Sequence, residues 1–145
     1  AAGRVPEEAR IGASPAADVL VVARHMLEGE TVYREGDVES AFAALREAIV
    51  AEDALPYDEP RGWMQPVRHA LGALLLEQGR VSEAELVYRE DLVQFPENGW
   101  ALHGLAECLT RSGEVEAAAA ATERFEAAWS NSPLALTASC FCRTE

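Results

Sequence analysis

Leucines and alanines recur along this chain at the three- and four-residue spacing that places side chains on one face of a helix. Leu71, Leu74 and Leu75, and again Leu102, Leu105 and Leu109, form such faces. The pattern predicts helices at about 15–35, 38–52, 65–78, 82–95, 99–112 and 114–129, with a short seventh from 133. Ser14-Pro15 and Ser132-Pro133 have the form of an N-cap followed by proline at the first helical position, and Ser82 with Glu85 has the form of a capping box. Pro96 marks a place where a helix cannot continue.

The helices repeat. Leu71-Gly72 returns as Leu105-Ala106, Gly79 as Gly113 and Ala84 as Ala118, each pair 34 residues apart. A period of this length marks a helix-turn-helix solenoid. An earlier copy, Gly29, Gly36, Ala41, Leu45 and Ala48, keeps the spacing of Gly72, Gly79, Ala84, Tyr88 and Asp91 but lies a further nine residues back. Gly36, Gly79 and Gly113 fall where the first helix of each pair should end, and Ala41, Ala84 and Ala118 where the second helix must come close to the first.

The motif positions resemble the tetratricopeptide repeat family. In the second copy Leu71, Gly72, Leu75, Gly79, Ala84, Tyr88 and Pro96 match the family signature, and in the third Leu105, Ala106, Leu109, Gly113, Ala118 and Phe125 do so. The resemblance extends over roughly residues 22–130 and is looser in the first copy. Asp91 departs from the family's alanine, Thr122 from its aromatic and His25 from its frequent tryptophan. The stretches LPYDEPRGW from Leu55, PVRHALGALL from Pro66 and YREDL from Tyr88 also resemble the last repeats of longer bacterial proteins of this family, of unassigned function. A chain that opens on Ala1 without a methionine is expected to be a processed product or part of something longer.

The resulting expectation is an all-α fold, a right-handed α-solenoid of three helix-turn-helix repeats with a short C-terminal segment. The divisions are an N-terminal extension 1–14, repeat 1 at 15–53, a Pro/aromatic insertion 54–64, repeat 2 at 65–96, repeat 3 at 97–130, and a short helix with a Cys-x-Cys tail at 131–145. The outer ends of the last repeat lack a polar capping helix, and Leu134, Leu136 and Phe141 follow instead, so self-association by stacked ends is a second expectation.

Composition narrows the function. The 145 residues are 49% hydrophobic, all 12 basic residues are arginine, and 25 acidic residues bring the formal charge to −13. Such a field repels phosphate backbones and anionic lipid, so neither nucleic acid nor membrane is an expected partner. The longest aliphatic run, Val19 to Ala23, is far short of a membrane span. The N-terminus lacks the order of a secretory signal, and three cysteines, Cys108, Cys140 and Cys142, are too few for a disulfide framework, which makes a reducing, cytosolic setting the default.

The family resemblance implies a concave groove lined by the first helix of each pair and suited to an extended peptide or partner helix. Its positions here include Met26, Glu30 and Tyr33 in copy one, His69 and Glu77 in copy two, and Trp100, His103 and Glu107 in copy three. Some members clamp a partner's C-terminal carboxylate with Lys, Asn and Arg; this chain has no lysine and no asparagine on those helices, so the expected partner is instead a basic or amphipathic protein segment. Met26, Tyr33 and Trp100 would anchor its apolar side, and the bland alternative is a solvated acidic face. Tyr57 and Trp63 in the insertion are further contact candidates, or simply tuck against the repeats.

A rival class is a metal-binding or thiol-redox protein. His69 and His103 are repeat-equivalent, and Glu107 lies one turn beyond His103, so the three could approach one ion, although no HExxH occurs. Cys140 and Cys142 form a Cys-x-Cys pair in a tail expected to be mobile, while Cys108 sits on a leucine-rich helix as core. Asp91, at a packing position, requires a partner: a salt bridge to Arg68 or Arg89, or a contact that orients a groove histidine. No nucleophile, acid and base converge on one predicted face, no phosphate loop or dinucleotide fingerprint occurs, and neither an enzyme nor a resident cofactor is expected.

Overall fold

Six helices are formed: α1 Ala16–Glu35, α2 Val38–Asp53, α3 Val67–Glu77, α4 Val81–Gln94, α5 Gly99–Ser112 and α6 Val115–Trp129. They are seen in a computed structural model that describes residues 5–143. The ends of the expected N-terminal extension and tail, residues 1–4 and 144–145, lie outside the described residues. Two short strands, β1 Arg10–Ile11 and β2 Ser14–Pro15, pair antiparallel ahead of α1. The molecule is an all-α helical repeat, and none of its described helices is long and apolar enough to cross a membrane.

The chain divides into two compact units, Ala1–Val67 and Arg68–Glu145. In the first, α1 and α2 form a helical hairpin around Val19, Val22, Met26, Tyr33, Ala41, Phe42, Leu45 and Ala48, all buried. The turn is closed by Gly36 N–H to Tyr33 O and Asp37 N–H to Val32 O. Asp37 then caps α2 by accepting from Ser40 N–H at 3.2 Å, satisfying an amide that has no partner inside the helix. The insertion following α2 is irregular, and Arg61 within it lies 3.6 Å from the buried Glu52, which also accepts from Val67 N–H at 3.0 Å.

In the second unit α4 packs on α5 and α5 on α6. Leu71, Leu74, Leu75, Leu102, Leu105 and Leu109, the positions of the apolar pattern, are all buried. Gly79 and Gly113 adopt φ of 71° and 77° at the ends of α3 and α5, the left-handed conformation in which a side chain is strained. Tyr88 of α4 is the largest fully buried side chain, and its ring lies where two glycines face it. A Cβ built on Gly72 would stand 2.4 Å from Tyr88 Cζ and one built on Gly104 2.3 Å from it, so α3 and α5 approach α4 at a distance that only glycine permits.

Four expectations are corrected. No helix begins at residue 133: Ser132 Oγ accepts from Leu134 N–H and so closes only a turn, after which the chain runs irregularly to Arg143. Pro15 rather than Ser14 is the α1 cap, with Ser14 Oγ buried and without a hydrogen-bond partner. Val81 begins α4 with no side-chain cap, because Glu85 is drawn to Arg89 at 2.7 Å instead of reaching back to Ser82. Finally, the tail is packed rather than loose: Ser139 and Cys140 are buried, and Cys140 is disulfide-bonded to Cys142, leaving Cys108 as the free thiol.

Candidate functional site

The second unit gathers four of the residues singled out by the sequence, Glu77, Trp100, His103 and Glu107, around the C-terminal segment. Trp100 and Glu107 are seven residues apart on α5 and His103 lies between them, so helical geometry sets all three on one side. Trp100 packs edge-on against Trp129 at 5.6 Å and against Phe141 of the tail at 5.2 Å. Phe125 stacks on Trp129 at 6.0 Å and meets the His103 ring at 5.2 Å. The three edge-on pairs place ring edges against ring faces, the favourable sense of the aromatic quadrupole.

One turn further along α5, Glu107 receives Arg143 Nη1 at 2.8 and 3.0 Å on its two oxygens and also Arg111, which in turn donates to the Leu76 carbonyl at 2.9 Å. The Glu107 hydrogen bonds hold the Arg143 guanidinium above its ordinary pKa, and the field of Glu77 adds to them. Burial lowers the pKa of His103, partly offset by Glu107. Further along the tail, Ser139 Oγ and the Tyr88 hydroxyl share a hydrogen bond, and Cys142 Sγ lies 3.9 Å from the Ala70 carbonyl oxygen of α3.

His69 is placed elsewhere. It is buried beside Asp91, with Nε2 at 3.4 Å from Asp91 Oδ2 and 2.8 Å from Asn98 Nδ2. The Asn98 amide also donates to Asp91 at 2.9 Å, while its Oδ1 accepts from Trp100 N–H at 3.1 Å and caps α5. Asp91 is therefore not salt-bridged to Arg68 or Arg89, which are drawn to Glu90 and Glu85; its partners are a histidine and the asparagine ahead of the next helix. With His69 in this knot and Glu107 between two guanidiniums, the three residues proposed as metal ligands are separately engaged. Among the described residues no group of three or more His, Cys, Asp or Glu is placed to hold a metal ion.

In the first unit Met26 and Tyr33 are 3% and 6% exposed, with Tyr33 against Phe42 at 5.9 Å, so both are core residues and not surface anchors. Glu30 is half-buried, and burial raises its carboxyl pKa against the lowering field of Arg34. Tyr57 is 81% exposed with its hydroxyl bonded to Glu59, whereas Trp63 is half-buried with Nε1 lacking a hydrogen-bond partner. Phe125, Trp129, Phe141 and Arg143 complete the site of the second unit and were not singled out as contact residues from the sequence. The signal for the last two was the Phe141-Cys142-Arg143 run that follows Pro133.

The family model of the tetratricopeptide repeat matches residues 75–128, from the last turn of α3 to the last turn of α6. No curated protein and no solved structure matches the chain. The match takes in α4, α5 and nearly all of α6, and residues 75–128 thus carry a tetratricopeptide repeat, a module for protein–protein interaction.

Proposed function

We propose that the second unit binds an extended basic or amphipathic segment of a partner protein through Glu77, Trp100, His103 and Glu107, by recognition and not by catalysis. The observation that carries this reading is the pairing of Glu107 with a guanidinium through both carboxylate oxygens, two residues away from an aromatic ring held on Trp100. A carboxylate fork and an indole one helical face apart select a positive group and an apolar ring at fixed separation. The overall charge of −13 draws cationic segments toward the molecule and speeds their encounter.

Tyr57 and Trp63 of the insertion are proposed as a second contact on the first unit. Leu134, 44% exposed, is proposed as part of an end surface for self-association, tested by whether Leu134→Glu converts any larger species to monomer in sedimentation.

The central test is an array of amphipathic peptides with and without arginine, titrated against the full chain. Binding of arginine-containing peptides, weakened at least about tenfold by Glu107→Gln and by Trp100→Ala and reduced by added salt, is the expected result. Binding indifferent to both substitutions would place the partner surface elsewhere.

A further inference from the structure

Residues 139–143 make, within one chain, the contacts that the proposed site offers to a partner. Ser139 bonds to Tyr88, Phe141 packs on Trp100, Cys142 approaches Ala70 on α3, and Arg143 is held by Glu107. The run is irregular, so successive side chains are not confined to a helical stripe, and it touches α3, α4 and α5 within five residues. We infer that this tail is an internal ligand of the site, and that the partner which replaces it carries an aromatic residue followed two positions later by arginine in a tight turn, as Arg143 N–H to Cys140 O and the Cys140–Cys142 disulfide hold them here.

The inference rests on the binding reading above and specifies its ligand. Two features of the contact favour exchange. Phe141 remains 76% exposed, so its ring meets the tryptophan on one edge only and leaves room for a ring that seats more fully. Arg143 and Glu107 are each about one-fifth exposed, and a hydrogen-bonded ion pair at a site open to water is more readily exchanged than one sealed in the core. Against this, the tail is tethered to α6 by the short stretch that begins at Ser130, and such tethering gives an effective concentration on the order of millimolar. An external segment making only the same contacts is therefore disfavoured by the fraction of molecules whose site is open.

The probe is a fluorescein-labelled peptide of residues 134–143 with its Cys140–Cys142 disulfide formed, followed by anisotropy against the full chain. A chain carrying Phe141→Ala and Arg143→Ala should bind it at least about tenfold more tightly than the unaltered chain. Adding Glu107→Arg should abolish that binding, and a probe with its arginine changed to glutamate should recover it. Should the altered tail disturb folding, amide exchange in the unaltered chain provides the second measurement: saturating probe should speed exchange at residues 139–143.

Equal affinity for both chains, or tail exchange unchanged by bound probe, would overturn the internal-ligand assignment; if the arginine peptides of the array still bind, the site itself stands. Failure of every arginine peptide with either chain would remove both. A doubled mass in light scattering that Arg143→Glu returns to monomer would assign the tail to a second copy, also against the inference.

Discussion

The Asp91 carboxylate accepts a hydrogen bond from Asn98 Nδ2 at 2.9 Å, joining the last turn but one of α4 to the residue that caps α5. Asp91 is 1% exposed, so the group has left water and depends on that amide and on His69. Asp91→Leu should therefore destabilise the second unit by roughly 2–4 kcal/mol, because it takes from the Asn98 amide its carboxylate acceptor and from His69 its polar neighbour. Asp91→Asn, which keeps one acceptor oxygen, should cost less. Urea titration of the three proteins checks the order.

Gly104→Ala should cost about 1–3 kcal/mol, since the added methyl falls inside the Tyr88 ring and α5 must shift away from α4. The informative measurement is a double-mutant cycle with Tyr88→Leu. A smaller side chain at 88 leaves space for the methyl, so Gly104→Ala should be less damaging in that background, and additive effects would contradict the packing described.

Most of the helical framework was legible because it follows from local rules. The Leu71 and Leu102 faces repeat at helical spacing, and glycines stand at each expected break, so the helix order and their bounds followed with little dependence on distant residues. Ser132-Pro133 misled because a cap signal says only where a helix could start, and no apolar stripe follows it; the segment gains more from Tyr88, Trp100 and Glu107 than from its own hydrogen bonds. The partner of Asp91 was legible only in part. Arg68 and Arg89 suit a carboxylate by charge, but both are drawn to other glutamates; the alternative of a groove histidine is the one that His69 meets, and the Asn98 donor ahead of α5 required the tertiary fold. In the candidate site, Trp100, His103, Glu77 and Glu107 were expected from the family resemblance, whereas Phe125, Trp129 and the tail required the tertiary fold.

Stability should fall as pH drops from about 7.5 toward 5, in part through His103. Its folded pKa lies below the ordinary 6.5 because burial disfavours the imidazolium, with Arg143 acting in the same sense and Glu107 against it. The unfolded chain then takes up the proton first, so stability is full above 6.5 and is lost as pH falls toward the folded value. Glu30 has the opposite sign: its raised carboxyl favours the folded state below 4.5 and costs stability as pH rises through its folded value. His103→Gln should flatten the upper window alone, which denaturation midpoints measured at half-unit pH steps will show.

Cys108 should resist alkylation in the native protein. Burial, aided by Glu107 and Glu85, pushes its thiol up to about 12, so at pH 8 only about one molecule in ten thousand carries the reactive thiolate. Iodoacetamide should label it rapidly in urea and hardly at all without urea, as intact mass will report; fast labelling of the folded chain would mean that α5 opens readily.

The Tyr88 ring also determines which repeat can follow which. The position that it faces on the next first helix is Gly104, whereas the equivalent position 34 residues earlier is Ala70. A tandem array built by reiterating residues 65–98 would set a methyl against every such phenol, so the second copy is penalised each time it succeeds itself. The two copies are matched as plug and socket, and averaging them into one consensus unit would erase the instruction that orders them.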